Sequence, residues 1–203
     1  HRFKGIRMNG ADFRPARQHE EPMRSYVGRG SDRDGMERRS ATGLGLDDRL
    51  LAGLKRIHES DGVLELLTRA DDLLFVLPYL ERVPLERVII NHLAGPAFKS
   101  PYLEVWCEAM ERAAACPGVH VKLSGMITQT KREDLPRLKE AVADAAAWFG
   151  PDRLLFGSDW PVALAGGSYR AVLDLFESVL PPAWTDAERE LVRRENARRI
   201  YQV

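Results

Sequence analysis

The chain has 203 residues, of which 44% are hydrophobic and 30% are charged, proportions typical of a globular domain. Its 30 basic and 30 acidic side chains cancel, so no overall field attracts nucleic acid or an anionic membrane surface. No apolar run approaches the roughly 20 residues of a membrane-spanning helix, and the first residues lack the apolar region of a signal peptide. We therefore expect a cytoplasmic protein that binds neither nucleic acid nor membrane.

The first segment with a pattern is a short predicted strand over 2–7. It is followed by a polar stretch over 9–47 that is rich in Arg, Gly, Asp and Ser and has no helical or strand period. Unstructured connections of this length are uncommon inside a compact domain, and many of them serve as lids over a ligand site. We predict that 9–47 is a long polar loop or lid, disordered in part.

After this stretch the sequence alternates between helical and strand patterns. Asp47 or Asp48 is the expected N-cap of the first helix, and Thr185 with Glu188 forms a capping box for the last. Pro136 fits its predicted helix only in the first turn. Helices are predicted over 47–60, 70–83, 102–116, 133–150, 168–180 and 185–201, and strands over 62–69, 87–95, 119–125 and 153–159.

The predicted order is five strand–helix units followed by one extra helix. Such alternation indicates a parallel sheet with right-handed crossovers. Several of the strands are nearly continuous apolar runs, as expected where a strand is covered on both faces. A doubly wound sheet and a (β/α)8 barrel both fit this pattern, and we treat 1–203 as one domain.

In both architectures the ligand site lies at the carboxyl ends of the strands. Alone, an arginine after a strand is often a solvated loop charge, and a histidine there is often structural. Polar residues at five successive strand ends indicate a functional rim instead. These ends carry, in chain order, Arg7, Arg69, Asn91 with His92, Lys122 with Ser124, and Ser158 with Asp159.

The residue types at these ends suit hydrolysis at a carbonyl group. His92 can be a metal ligand or a general base near neutral pH, and Asp159 can bind a cation or take a proton from water. Lys122 and the arginines offer positive charge for a substrate carboxylate or a developing oxyanion. The chain has no glycine-rich phosphate loop and no G-x-S-x-G turn, which disfavours nucleotide chemistry and serine hydrolysis.

Four stretches together resemble one protein family. “VIINHLAGP”, “VHVKLSGM”, “LLFGSDWPV” and the closing “ENARRIY” are similar to the amidohydrolase-related family of metal-dependent hydrolases with the TIM-barrel fold. Within it they resemble the branch of L-fuconolactonase, L-rhamnono-lactonase and 2-pyrone-4,6-dicarboxylate lactonase. The resemblance covers nearly the whole chain except 9–47. It implies a (β/α)8 barrel of which this chain carries about five units, from the fourth to the eighth strand, and a C-terminal helix.

The resemblance also implies roles for individual residues. Asp159 would be the base that activates the attacking water, and His92 would be a second catalytic residue. Both are implied as ligands of a divalent metal, zinc in the first place, although the branch includes metal-independent members. The terminal Asn196 would be structural. The implied substrate-binding residues are Arg7, Arg69, Lys122 and Trp160.

The sequence departs from the family pattern in two ways. It has no H-x-H, the family's first-strand pair of metal or substrate ligands, and Asn91 stands where the family has an aspartate. His19, in the polar stretch, is not expected to replace the missing ligands. We therefore expect an N-terminally truncated barrel whose open sheet edges favour a homo-oligomer.

The predicted function is the opening of a sugar or carboxylate lactone, a small-molecule substrate, in carbohydrate catabolism. Two alternatives stay open. One is decarboxylation of an unsaturated or aromatic carboxylic acid, and the other is a non-catalytic barrel fragment, which the missing H-x-H favours. The sequence does not name the substrate.

Overall fold

A computed structural model describes residues 5–14, 46–96, 98 and 102–203. In this part of the chain no helix is both long and apolar enough to cross a membrane. The strands are β1 (Gly5–Asn9), β2 (Val63–Leu67), β3 (Val88–Ile90), β4 (Val119–Leu123) and β5 (Leu154–Phe156). The α-helices are α1 (Asp48–Glu59), α2 (Ala70–Arg82), α3 (Tyr102–Ala114), α4 (Met126–Gln129), α5 (Leu135–Phe149), α6 (Tyr169–Val179), α7 (Asp186–Glu190) and α8 (Asn196–Tyr201).

The strand order distinguishes the two fold classes that the sequence left open. All four pairings are parallel, and the strands lie side by side in chain order, β1-β2-β3-β4-β5. A doubly wound sheet reverses its order at a switch point, whereas each strand of a barrel lies next to the one before it. The described chain therefore has the topology of part of a (β/α)8 TIM-type barrel.

The predicted strands and helices are present among the described residues, with shifted boundaries. β1 runs on to Asn9, so the prediction that Arg7 ends this strand is wrong. The strand predicted over 87–95 stops at Ile90, because the chain there enters a 3-10 turn over Asn91–Ala94. The last predicted helix is divided into α7 and α8 by a π-helical turn over Leu191–Glu195. As predicted, Asp47 caps α1, Thr185 forms the capping box of α7 with Glu188, and Pro136 lies in the first turn of its helix, which begins at Leu135 and not at 133.

The start of the predicted polar loop is folded. Gly10–Phe13 form a 3-10 helix, and the buried ring of Phe13 packs edge-on against Tyr79, with 5.2 Å between ring centroids. Arg14 binds Asp71 at 3.0 Å and also contacts Asp72, which ties this turn to α2. These first residues are therefore not a loop as predicted. Residues 2–4 of the predicted first strand and 15–45 of the polar stretch, which include His19, lie outside the described residues.

The two faces of the sheet are covered differently. The main apolar core lies between the sheet and the helices packed on it. A second, smaller apolar cluster joins Val63, Ile89 and Leu155 to Ile200 of α8. Because Val63 and Ile200 meet there, α8 lies against the other, inner face, near the amino ends of the strands.

Asn196 holds α8 in this position. Its side chain is fully buried, and its Nδ2 donates to the carbonyl oxygens of Pro151 at 2.7 Å and Leu154 at 2.8 Å. Both bonds fix the start of β5 relative to α8. The structural role that the resemblance implied for Asn196 is confirmed by these contacts.

His120 is a buried histidine on the inner face, where it neighbours Ile89 in the sheet register. Its Nδ1 lies 3.0 Å from the carbonyl oxygen of Gly118, to which the neutral ring can donate. Burial lowers the pKa of His120 below its ordinary value of 6.5, and the charges of Arg199 and Arg153 act in the same direction. The folded protein therefore holds this ring in its neutral form.

Mild acid should destabilise the protein through His120. The unfolded chain binds a proton as the pH falls through 6.5, while the folded chain resists it, so the free energy of unfolding falls with the pH. We expect His120→Gln to make this fall smaller between about pH 7.5 and about pH 5.5, measured by urea unfolding at both values. An unchanged difference between the two pH values would contradict the assignment.

Candidate active site

A strained turn presents His92 at the carboxyl end of β3. Three successive non-glycine residues have left-handed backbones, with φ of 54° at His92, 53° at Leu93 and 55° at Ala94. Each such residue costs on the order of 1–3 kcal/mol and persists only where its surroundings determine it. Here the Trp106 indole donates to the Leu93 carbonyl at 2.7 Å, and the Gly95 amide donates to the His92 carbonyl at 2.8 Å.

His92 faces both Ser124 and Asp159. Its Nδ1 lies 2.8 Å from Ser124 Oγ, just beyond the end of β4, and its Nε2 lies 3.8 Å from Asp159 Oδ1, beyond the end of β5. The second distance is too long for a direct hydrogen bond, so the imidazole and the carboxylate can both contact one water or ion. The side chains are 21% and 19% exposed, which leaves them accessible to a small molecule.

The surroundings favour the neutral form of His92. Burial lowers its pKa, the Asp159 carboxylate raises it, and the positive charges of Lys122 and Arg7 lower it further, with a lower pKa as the net result. A neutral imidazole can accept a proton or bind a metal near neutral pH. The structure thus brings together the two residues predicted to be catalytic.

The same pair provides only two protein ligands for a metal ion. His92 Nε2 and Asp159 Oδ1 could both reach one zinc ion, yet catalytic zinc takes three protein ligands. Within the described ranges, no group of three or more His, Cys, Asp or Glu side chains could hold a metal. The described residues therefore supply two ligands and fit only part of a zinc site.

An open cavity of 640 Å³ adjoins His92. Its volume is within the range of small-molecule sites, about 300–1,000 Å³. Arg69, which stands just before α2, lines it and lies 4.0 Å from Asp71. Sequence reasoning missed the neutral polar residues of the lining, since none carries a charge or motif. These are Asn9, Thr68 and Gln129.

Arg7 and Lys122 lie within β1 and β4, before the carboxyl ends of these strands, and not at the predicted rim. Both reach Glu65 in the middle of β2, Arg7 Nη2 at 2.7 Å and Lys122 Nζ at 3.1 Å. Their role in binding substrate stays a prediction. Glu65 was missed by sequence reasoning, although a single carboxylate inside the apolar run “VLELL” was a signal for it.

Trp160 follows Asp159 and lies beside Tyr169. The two rings meet edge to face with centroids 5.7 Å apart, and Trp160 remains 47% exposed. The contact explains how the ring is held at the surface after β5. Its predicted role as a wall of the pocket stays a prediction.

Gly125 gives His92 the room it occupies. This residue has a φ of 65°, and a Cβ added to it would lie 2.8 Å from His92 Nδ1 and 3.0 Å from Gln129 Nε2. An alanine at this position would meet both a disfavoured backbone conformation and the imidazole. The glycine of the “KLSG” motif is thus explained by the histidine beside it.

Gly125→Ala should lower the free energy of unfolding by roughly 2–4 kcal/mol, the sum of left-handed strain and overpacking. Gly53→Ala is the matched control, because an added Cβ there meets nothing within 4 Å on α1. We expect the control to raise stability by about 0.5–1 kcal/mol. Urea unfolding of both variants measures the difference, and equal effects would contradict the described packing.

Comparison with known proteins agrees with this geometry. The chain is 39% identical over 63% of its length to the L-fucono-1,5-lactonase of Burkholderia ambifaria, and 28% identical over 98% of its length to that of Burkholderia multivorans. It spans 46% and 64% of the lengths of these two relatives. An amidohydrolase from Burkholderia multivorans, solved with bound zinc, superposes with a TM-score of 0.72 at 27% identity, over 95% of this chain and 71% of that one.

The family profile described as amidohydrolase matches residues 2–203. This match includes all five strands and the rim that carries His92 and Asp159. The chain belongs to the amidohydrolase family.

Proposed function

We propose that the protein opens the ring of a lactone by attack of water on the carbonyl carbon. The observation that carries this proposal is the His92–Asp159 pair, 3.8 Å apart at the strand ends, of which His92 lines an open cavity. The similarity to two L-fucono-1,5-lactonases supports a sugar lactone as the small-molecule substrate. We place the reaction in cytoplasmic carbohydrate catabolism.

Asp159 would take a proton from the attacking water as the new C–O bond forms. Neutral His92 would orient this water or hydrogen-bond to the carbonyl oxygen, with its other ring nitrogen fixed by Ser124. When the ring C–O bond breaks, the proton held by Asp159 would pass to the departing oxygen. Water and lactone thus give one hydroxy acid, and the aspartate returns to its ionised state.

For a divalent metal, the proposal names only the residues that would bind it. His92 and Asp159 would hold it, and zinc is the metal bound in the related amidohydrolase structure. When bound, zinc would polarise the carbonyl and lower the pKa of water. The zinc content of the purified protein and of its Asp159→Asn variant measures whether these residues bind it.

Asp159→Asn should lower kcat for lactone hydrolysis by roughly 10²- to 10⁴-fold, because the amide cannot take the proton from water. Asp174→Asn is the matched control, since this carboxylate is exposed on α6 and pairs with Arg170 at 2.8 Å. The assay uses the protein as its gene encodes it and follows proton release from a panel of sugar lactones. We expect the control to keep full activity.

The panel also includes a pyrone dicarboxylate and an aromatic carboxylic acid. Release of carbon dioxide from the acid without lactone hydrolysis would contradict the proposal and support the decarboxylase alternative. Activity that survives Asp159→Asn would refute the role given to this residue.

A further inference from the structure

We propose that Glu65 is a positioning residue. Through Asn91 and Lys122 it holds the two segments that carry His92 and Asp159, and Tyr201 of α8 holds Glu65 itself. The kinetic part of this inference rests on the proposed lactone hydrolysis. Its structural part concerns the turn that carries His92 and does not depend on the substrate.

Glu65 is the centre of the polar contacts on the inner face. Its side chain is 15% exposed. Oε2 accepts from Arg7 Nη2 at 2.7 Å and from Asn91 Nδ2 at 3.2 Å, and Oε1 accepts from Lys122 Nζ at 3.1 Å and from the Tyr201 hydroxyl. Donors from four different parts of the chain thus hold both carboxylate oxygens of Glu65.

The first connection to the reactive pair runs through Asn91. This residue immediately precedes His92, at the point where the backbone enters the left-handed turn. The hydrogen bond from its side chain to Glu65 therefore anchors the entry of the turn, while the Trp106 indole anchors its middle at the Leu93 carbonyl. Because the turn is strained, each anchor helps to determine where His92 points.

The second connection runs through Lys122. Its stem lies flat across Gly157, where an added Cβ would be 2.9 Å from Lys122 Cδ. Gly157 is two residues before Asp159, so the Lys122 side chain packs against the segment that carries the Asp159 carboxylate. Glu65 holds the ammonium end of this side chain, and both halves of the pair are thereby supported by one carboxylate.

Tyr201 is the member of this arrangement that comes from the last helix, α8. Its hydroxyl donates to Glu65, and the Lys122 ammonium lies 5.6 Å from the centroid of its ring. Burial and the neighbouring carboxylate raise the pKa of Tyr201, so the hydroxyl remains a donor. The residue does not belong to the described lining of the cavity, and any effect of it on catalysis must pass through Glu65 or Lys122.

The test compares Tyr201→Phe with Tyr79→Phe. The Tyr79 hydroxyl also has a hydrogen bond, from the Asp47 amide at 2.9 Å, but this residue belongs to the main core, where its ring meets Phe13. We expect Tyr201→Phe to lower kcat by roughly 10-fold with little change in KM, since small misplacements of reacting groups can reduce rates by about 100-fold. Tyr79→Phe should leave kcat unchanged.

Hydrogen exchange supplies a readout that needs no substrate. The Gly95 amide closes the turn on the His92 carbonyl, so its exchange rate reports on the anchoring of this turn. Tyr201→Phe and Glu65→Gln should both speed exchange at Gly95, and Tyr79→Phe should not. Glu65→Gln is preferred to Glu65→Ala because it keeps the side-chain shape around Lys122 and Arg7, although it removes the charge.

The outcomes separate this inference from the proposed function. If the unsubstituted protein hydrolyses a lactone and Tyr201→Phe retains full kcat, the positioning role is overturned. If the unsubstituted protein hydrolyses no lactone, the proposed function fails, and Gly95 exchange decides the positioning role by itself. Exchange that is equal in the parent, Tyr201→Phe and Glu65→Gln would overturn it in that case.

Discussion

The carboxylate of Glu65 is the charge on which the inner face of the sheet depends. Burial alone would raise its pKa, but hydrogen bonds from Tyr201 and Arg7 and the charge of Lys122 outweigh burial and lower the pKa to about 2. It is therefore ionised throughout the physiological range. A buried ion is stable only where partners compensate its lost hydration, and removing one member of such a set leaves the others uncompensated. The negative charge of Glu65 thus allows two cations to lie close together beneath the site.

This ionic layer separates two regions of different character. Toward the amino ends of the strands, Val63, Ile89 and Leu155 pack on Ile200 in an apolar cluster. Beyond the carboxyl ends of β3 and β5 lie His92, which lines the cavity, and Asp159. The cations between the two regions act on the reactive pair at a distance, because their charges lower the pKa of His92. Burial is the largest cause of the lowered pKa of His92, and the inner-face cations add to it.

Sequence reasoning found the parts of this design that are local in the chain. His92 and Asp159 follow apolar runs directly, so their place at the strand ends could be predicted. The bond between Tyr201 and Glu65 joins residues 136 positions apart, and no local pattern reveals it. The left-handed turn at His92 was also missed, because no glycine marks its first three positions. The choice between a doubly wound sheet and a barrel needed the strand order, which is a property of the tertiary structure.

Backbone strain at His92 and Asp159 explains why support from distant segments is needed. His92 and Asp159 both have left-handed backbones, with φ of 54° and 55°, although neither is a glycine. At on the order of 1–3 kcal/mol each, this strain is a considerable fraction of the 5–15 kcal/mol that stabilises a typical domain. The pair can stay opposed only if the bonds around it exceed the strain, and those bonds come from β2, α3, β4 and α8. The geometry of the pair therefore depends on the whole inner face, to which the last helix contributes through the bond from Tyr201 to Glu65.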